Sequence, residues 1–405
     1  MRSKNLVCFF AITLFCNNLF APWAQWAEQT LSQMTLDEKI GQLLMIAVPC
    51  NPDSATNADR LFTLQLPTDL NKDYATNMIR NYHVGGIIFI CEGMVQEQVV
   101  ATNYFQQQSK LPLFVAQDFE PGLVRLSDVV NYPRARIVAQ AGDLDVTYRI
   151  GKQIGLQAKR LGVNVVLAPV VDVQTNDKNP VINTRSFGKT PQLVAEHGQA
   201  LMRGIQEAGV IACAKHFPGH GDTSVDSHLG LPRLEHGIDR LNAIELVPFK
   251  KLIDAGVAAV MPGHLLVPHI DAENPTSLSS IFIKELLQKK LGFKGLIFTD
   301  ALIMKALTLH TQEGTAALKS LLAGCTMAVF PDDVPKSFAI IKAAVEQGAF
   351  SEQELNEKVL LILQTKQQLG LHQNRLVSEQ NVANDICTQQ ALALQQEVLE
   401  RTRSV

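Results

Sequence analysis

"VNVVLAPVVDV", residues 163–173, is aliphatic and β-branched along most of its length and carries one carboxylate, Asp172, near its end. A continuous apolar run has no polar face to offer water, so it suits a parallel strand covered on both sides. Working outward, seven more runs share this character: "GQLLMIAV" (41–48), "VGGIIFI" (84–90), "PLFVAQD" (112–118), "GVIACAKH" (209–216), "VAAVMPGH" (257–264), "GLIFTD" (295–300) and "TMAVFPDD" (326–333). Segments with helical spacing of apolar residues separate them, as in "EHGQALMRGIQEAG" (196–209) and "SIFIKELLQKKLG" (280–292). Strand alternating with helix gives βαβ units, and eight units predict an α/β fold of the (β/α)8 TIM-barrel type rather than an open sheet. No internal repeat is visible, so the barrel rests on this pattern alone.

Five of the runs end on polar residues: Asp118, Asp172, Lys215 with His216, His264 and Asp300. In a barrel the C-terminal strand ends form the active-site face, so these side chains are expected to converge on one mouth. Any one of them alone reads equally well as a cap or turn residue.

The chain has 405 residues, 46% of them hydrophobic, which is enough for one large barrel. Its net charge is −3 with no basic face, which argues against nucleic acid, and 6% aromatic content argues against a stacking surface. At the start, Arg2 and Lys4 precede an apolar run from Leu6 to Phe15, the layout of a secretory signal. The run is too short to span a bilayer. The expected organisation is a signal peptide over 1–24, a single catalytic barrel over 25–370, and a polar helical tail over 371–405 packed outside it. Export into a bacterial periplasm follows, with lipidation at Cys16 disfavoured by the preceding "TLF". A monomer without a stable membrane span is expected. Beyond the signal, Cys50, Cys91, Cys213, Cys325 and Cys387 are odd in number and widely spaced, so they form neither a disulfide framework nor a metal site.

The chemistry concentrates in "KHFPGHGDTSVDSH", residues 215–228. His216 and His220 have the four-residue spacing of helical metal ligands, but Pro218, Gly219 and Gly221 forbid a regular helix there. The first strand also lacks the HxH of binuclear barrel hydrolases, so no metal is expected. Asp226 and His228 lie two apart, and on an extended segment they share a face. Asp226 then fixes one ring nitrogen and leaves the other to move a proton near neutral pH. Asp300, at a strand end, adds a carboxylate nucleophile, and the set matches the layout of retaining glycoside hydrolysis. A solvent-exposed polar loop is the plain alternative.

Taken together, "TLDEKIGQLLMI", "YHVGGIIFI", "PLFVAQDFEPGLVRL", "LGVNVVLAPVVDV", "NTRSFG", "KHFPGHGDTSVDSHLGLP", "VMPGHLLVP" and "GFKGLIFTDALIMKAL" resemble the family 3 glycoside hydrolases, in their single-domain bacterial β-N-acetylhexosaminidase branch. The resemblance covers nearly the whole mature length. It implies Asp300 as nucleophile, His228 as general acid and then base, and Asp226 as its orienting partner. It implies Asp118, Arg125, Arg185, Lys215 and His216 as the groups that grip sugar hydroxyls and the N-acetamido arm. His220 is expected to hold its turn; His264, near the mouth, reads as a further contact there or, at least as readily, as a structural hydrogen bond. The implied activity is removal of terminal non-reducing N-acetylglucosamine from peptidoglycan fragments or related glycans, with neither metal nor organic cofactor.

Two departures bear on this. Pro121 and Leu123 stand where many relatives have a glycine and an arginine, which removes donors from the first loop. Thr326 replaces an aspartate near the last strand, with a structural effect expected. Rival readings are a β-glucosidase, a β-xylosidase or a glycoside phosphorylase on the same fold, and a sugar-binding protein without turnover.

Overall fold

The computed structural model describes residues 24–51, 70–90 and 92–403. The leader expected over 1–24 lies outside them except for Ala24, and so does Cys91. Each of the eight apolar runs contains a strand: β1 (Leu44–Val48), β2 (Gly86–Phe89), β3 (Phe114–Gln117), β4 (Val165–Val166), β5 (Ile211–Phe217), β6 (Ala259–Pro262), β7 (Leu296–Ile297) and β8 (Ala328–Val329). Neighbours pair in parallel in the order β7-β6-β5-β4-β3-β2-β1-β8. The ring closes between its ends through the parallel bridge Phe298↔Met327. Every strand residue is buried, which is why the runs read as continuously apolar rather than alternating.

The closing seam is short, and two threonines complete it. Thr326 Oγ1 accepts the Ile297 N–H at 3.0 Å, and Thr299 Oγ1 accepts the Val329 N–H at 2.8 Å. Thr326 is thus a ladder substitute, which gives a physical reason for its position at the last strand. The departure at Leu123 is also structural: its side chain is fully buried in the core.

Helices surround the ring. The helix Leu144–Arg160 packs along Pro191–Glu207. Beyond Gly370 the chain forms Val382–Ile386 and Gln389–Thr402. Both contact the helix Leu144–Arg160, where Arg149 pairs with Glu397 at 2.7 Å and Arg160 with Asp385 at 2.8 Å. No helix among the described residues is long and apolar enough to cross a membrane.

The N-terminal pole of the barrel is plugged by Lys366, which is wholly buried. Its ammonium lies 2.7 Å from Gln42 Oε1 and 2.9 Å from the Gly85 carbonyl, over the Phe114 ring. Burial pushes it down from 10.5 to about 7. From pH 7 upward the unfolded chain therefore holds a proton that the folded chain has released, and stability rises with pH until about 10.5. The Cys213 and Cys325 thiols, pushed up to about 12, act in the opposite direction above pH 9. Urea midpoints taken between pH 7 and 8.5 should therefore climb, and the climb should disappear in Lys366→Met. A climb that survives the substitution assigns the slope to another group.

Candidate active site

The strand ends deliver their polar residues to the C-terminal face, as a barrel requires. Asp118 follows β3, Lys215 and His216 lie within β5, and Asp300 stands three residues beyond β7. With Glu120, Arg125, Arg185, His220 and His228 they line a cavity of about 430 Å³, completed by Glu92, Val124, Arg134, Val181 and Ser227.

Lys215 is the hub. Its side chain is 3% exposed, and its ammonium lies 2.7 Å from Asp118 Oδ1 and 2.5 Å from Glu120 Oε1. Glu120 also holds Arg185, with Nε–Oε2 at 2.8 Å and Nη2–Oε1 at 3.0 Å. Arg125 donates to the Ile90 carbonyl at 2.6 Å and to Asp118 Oδ2 at 3.4 Å. Two carboxylates and three cations therefore alternate around one wall. Burial alone would raise both carboxyls; Lys215 and Arg125 hold Asp118 below its usual range, and Arg185 with Lys215 hold Glu120 far below it. Burial would lower the Lys215 ammonium, but Asp118 and Glu120 carry it above its usual range. An ammonium has three N–H donors, and these contacts occupy two. One remains for a ligand oxygen.

Asp172, fully buried after β4, arranges the first histidines. It accepts the ring Nδ1–H of His216 at 2.8 Å, the His216 backbone N–H at 3.2 Å, and the His220 backbone N–H at 2.6 Å. His216 thus keeps Nε2 for the cavity. His220 Nδ1 meets Thr223 Oγ1 at 2.6 Å, and burial pushes this imidazole down to about 4, so it is neutral at ordinary pH. Gly221 is required in this turn: a Cβ there would sit 1.9 Å from the Val173 carbonyl oxygen.

Asp226 and His228 meet by a different route from strand alternation. They sit on a tight turn, with Asp226 Oδ1 accepting both the His228 backbone N–H at 2.8 Å and its ring Nδ1–H at 2.7 Å. An aspartate that bonds the backbone two residues on makes such a turn by itself. His228 is 64% exposed at its side chain and stands at the solvent edge of the cavity, with Nε2 uncommitted to Asp226. Asp300 is half-buried, and its Oδ1 accepts the Ala301 N–H at 2.8 Å. Burial would raise its carboxyl; His216, His264, the Ala301 amide and Lys215 outweigh that and hold it at about 2.

His264 does not line the cavity. Its Nε2–H donates to the Ala301 carbonyl at 3.0 Å and its Nδ1 meets Ser277 Oγ at 2.7 Å, which fixes the turn carrying Asp300. Asp172 likewise stays beneath the mouth rather than on it. Glu120, Glu92 and Arg134 line the cavity without having been singled out from the sequence, and Asp172, expected at the mouth, instead holds the histidines from beneath it. Asp172 carried a signal, since it is a carboxylate inside apolar sequence and a buried carboxylate requires a partner; Glu120, two residues from Asp118 in "QDFEPG", carried none.

The description "Glycosyl hydrolase family 3 N terminal domain" fits residues 35–365. Beta-hexosaminidase A of Pseudoalteromonas piscicida is 32% identical over 383 residues, taking in 85% of this chain and 63% of that protein. A protein of Cellulomonas fimi named beta-N-acetylglucosaminidase/beta-glucosidase is 29% identical over 371 residues, with 88% and 62% covered. The chain thus spans less than two thirds of the length of these two relatives. The solved glycoside hydrolase family 3 beta-N-acetylglucosaminidase from Paenibacillus sp. str. FPU-7 superposes with a TM-score of 0.82 at 33% identity, over 91% of this chain and 69% of that one.

Proposed function

The chain belongs to glycosyl hydrolase family 3, and on that premise we propose that it is a retaining, exo-acting β-N-acetylglucosaminidase. The observation that carries the reading is the Asp226–His228 pair at the edge of the cavity that Asp300 lines. It supplies a proton donor and a carboxylate from one barrel.

In the first step Asp300 attacks the anomeric carbon through Oδ2, since Oδ1 is held by the Ala301 amide. The bond to the leaving oxygen breaks as His228 Nε2–H protonates that oxygen. Neutral His228 then takes a proton from water, the water attacks the same carbon, and the Asp300 carboxylate leaves. Two inversions keep the β configuration. A histidine acid is cationic before transfer and neutral after it, so it never repels the anionic nucleophile as a second carboxylate would. The remaining Lys215 donor, His216 Nε2 and the neighbouring arginines bind the sugar hydroxyls. The substrate proposed is a terminal N-acetylglucosamine on peptidoglycan fragments or related glycans, met after export to the periplasm.

The test is turnover of 4-nitrophenyl β-N-acetylglucosaminide beside the β-glucoside, with the first-formed anomer read by NMR. The expected result is preference for the hexosaminide and a β product. An α product overturns the double displacement. Preference for the glucoside favours the second activity in the name of the Cellulomonas fimi relative, and sugar 1-phosphate formed on adding phosphate marks a phosphorylase.

A further inference from the structure

The loop that bears Asp226 and His228 is fastened at its base by residues outside the cavity. Asp222 opens the loop and His236 closes it, and the two meet with Nε2–H donating to Asp222 Oδ2 at 2.5 Å. The other oxygen of Asp222 accepts the Thr175 hydroxyl at 2.7 Å, which ties the pair to the segment after β4. Arg240, on the helix Ile238–Ala243, donates to Thr175 Oγ1 at 3.3 Å and lies 3.1 Å from Glu245 Oε1. Glu245 is buried against Gly219, in the turn just before the loop: a Cβ there would stand 2.8 Å from Glu245 Cβ. One line of polar contacts thus runs from Glu245 through Arg240, Thr175 and Asp222 to His236, and it joins the two ends of the strap.

The strap's first arm is also held by Asn176, whose Nδ2 donates to the Thr223 carbonyl at 3.2 Å and Ser224 Oγ at 3.0 Å, and by Asn179, whose Nδ2 donates to Thr223 Oγ1 at 3.3 Å. Beyond Ser224 its ties are sparse. Ser227 accepts the Ala306 N–H through its carbonyl at 3.2 Å, and residues 232–234 pair with Leu266. Between these points the side chains of Val225, His228 and Leu229 are exposed. The Asn176 and Asn179 contacts fix only the first arm, so the Asp222–His236 pair is the contact that sets the separation between the two arms on either side of His228.

We propose that Asp222 and His236 are positioning residues, whose pair clamps the base of the strap and so places the acid/base dyad over the nucleophile. The proposal rests on the reading of Asp226–His228 as that dyad. A misplaced acid has a specific signature. Proton donation matters when the leaving group is a poor one, a sugar hydroxyl, and hardly matters when it is a dinitrophenolate.

The experiment compares kcat/KM for N,N′-diacetylchitobiose and for 2,4-dinitrophenyl β-N-acetylglucosaminide in wild type, His236→Ala, His236→Gln, Asp222→Asn and His228→Ala. For His236→Ala the expected loss is on the order of 10-fold on chitobiose and within about 2-fold on the activated glycoside, a part of the ~10²–10⁴-fold that general acid catalysis supplies. His236→Gln retains a donor at the Nε2 position and should recover most of the loss. Asp222→Asn, which keeps the shape and removes the charge, should shift the ratio in the same direction. Equal losses on both substrates, or none on chitobiose, overturn the clamp while His228→Ala still discriminates between them. If His228→Ala itself loses both substrates equally, the dyad reading fails first and the clamp goes with it.

Discussion

Asp300→Asn is expected to reduce kcat/KM on 4-nitrophenyl β-N-acetylglucosaminide by ~10⁴-fold or more, the scale on which removal of a covalent nucleophile is felt. The substitution is nearly isosteric, and the amide oxygen can still accept the Ala301 N–H that Oδ1 accepts now. What is lost is the anionic oxygen. Because its neighbours hold the carboxyl at about 2, it is ionised at every pH where the protein would be assayed. An acid limb in the rate profile near pH 5 or 6 must then belong to another group, and Asp300 contributes none there. The circular dichroism and melting of the variant should stay close to wild type, since Asp300 is only half-buried and Lys215 keeps both its other carboxylate partners. Residual turnover above about 1% of wild type, on a scale where each tenfold is about 1.4 kcal/mol, would be too much for a missing nucleophile and would move that role to another carboxylate.

The barrel was legible because its strands are buried on both faces, so that each left an unbroken apolar run. Seven of the eight observed strands lie inside those runs, and β5 passes the end of its run by one residue, Phe217. Their lengths were not legible. β4, β7 and β8 have two paired residues each, while their runs continue with single backbone bonds such as Leu167 N–H to the Gln117 carbonyl and, at the seam, with the hydroxyls of Thr299 and Thr326. In the site, the strand-end rule brought Asp118, Lys215, His216 and Asp300 to one cavity. The rule has no means of telling a residue on the mouth from one just beneath it, so Asp172 and His264 were grouped with the others although each is spent on holding a neighbour. Pairings between distant carboxylates and cations were hidden for the same reason. Nothing local marks Glu120 as the partner of both Lys215, on β5, and Arg185, in the short helical turn Asn183–Arg185. The Asp226–His228 contact was readable from spacing, but the turn that makes it comes from the aspartate's own backbone bond rather than from an extended segment.

Lys215→Met should be the most damaging change on the wall that Asp118, Glu120, Arg125 and Arg185 build, in stability and in binding together. Methionine fills much of the same volume, so packing is little changed. The charge is another matter. Asp118 and Glu120 share this one ammonium, and without it two carboxylates face each other, leaving only Arg125 and Arg185 to balance them. Breaking a buried pair costs ~3–5 kcal/mol in favourable cases; Asp118 is about one third exposed, so water screens part of this and about 3 kcal/mol is expected. The pH dependence carries the same sign. A carboxyl held below its usual value contributes stability that is fully present above the unfolded value, 3.8 for Asp118 and 4.5 for Glu120, and is lost as pH falls toward the depressed folded value. Removing Lys215 moves those folded values back up, so acid unfolding should begin at higher pH in the variant than in wild type. Binding of the sugar should weaken as well. The ammonium's remaining donor is worth ~1.5–3 kcal/mol as a charged hydrogen bond, a loss of roughly 10- to 100-fold in kcat/KM beyond any caused by unfolding. Glu120→Gln separates the two effects. It keeps the shape and leaves Lys215 on Asp118, so acid sensitivity and KM should change less than in Lys215→Met. If Glu120→Gln proves the worse of the two in both respects, the Arg185–Glu120 pair rather than Lys215 organises this wall.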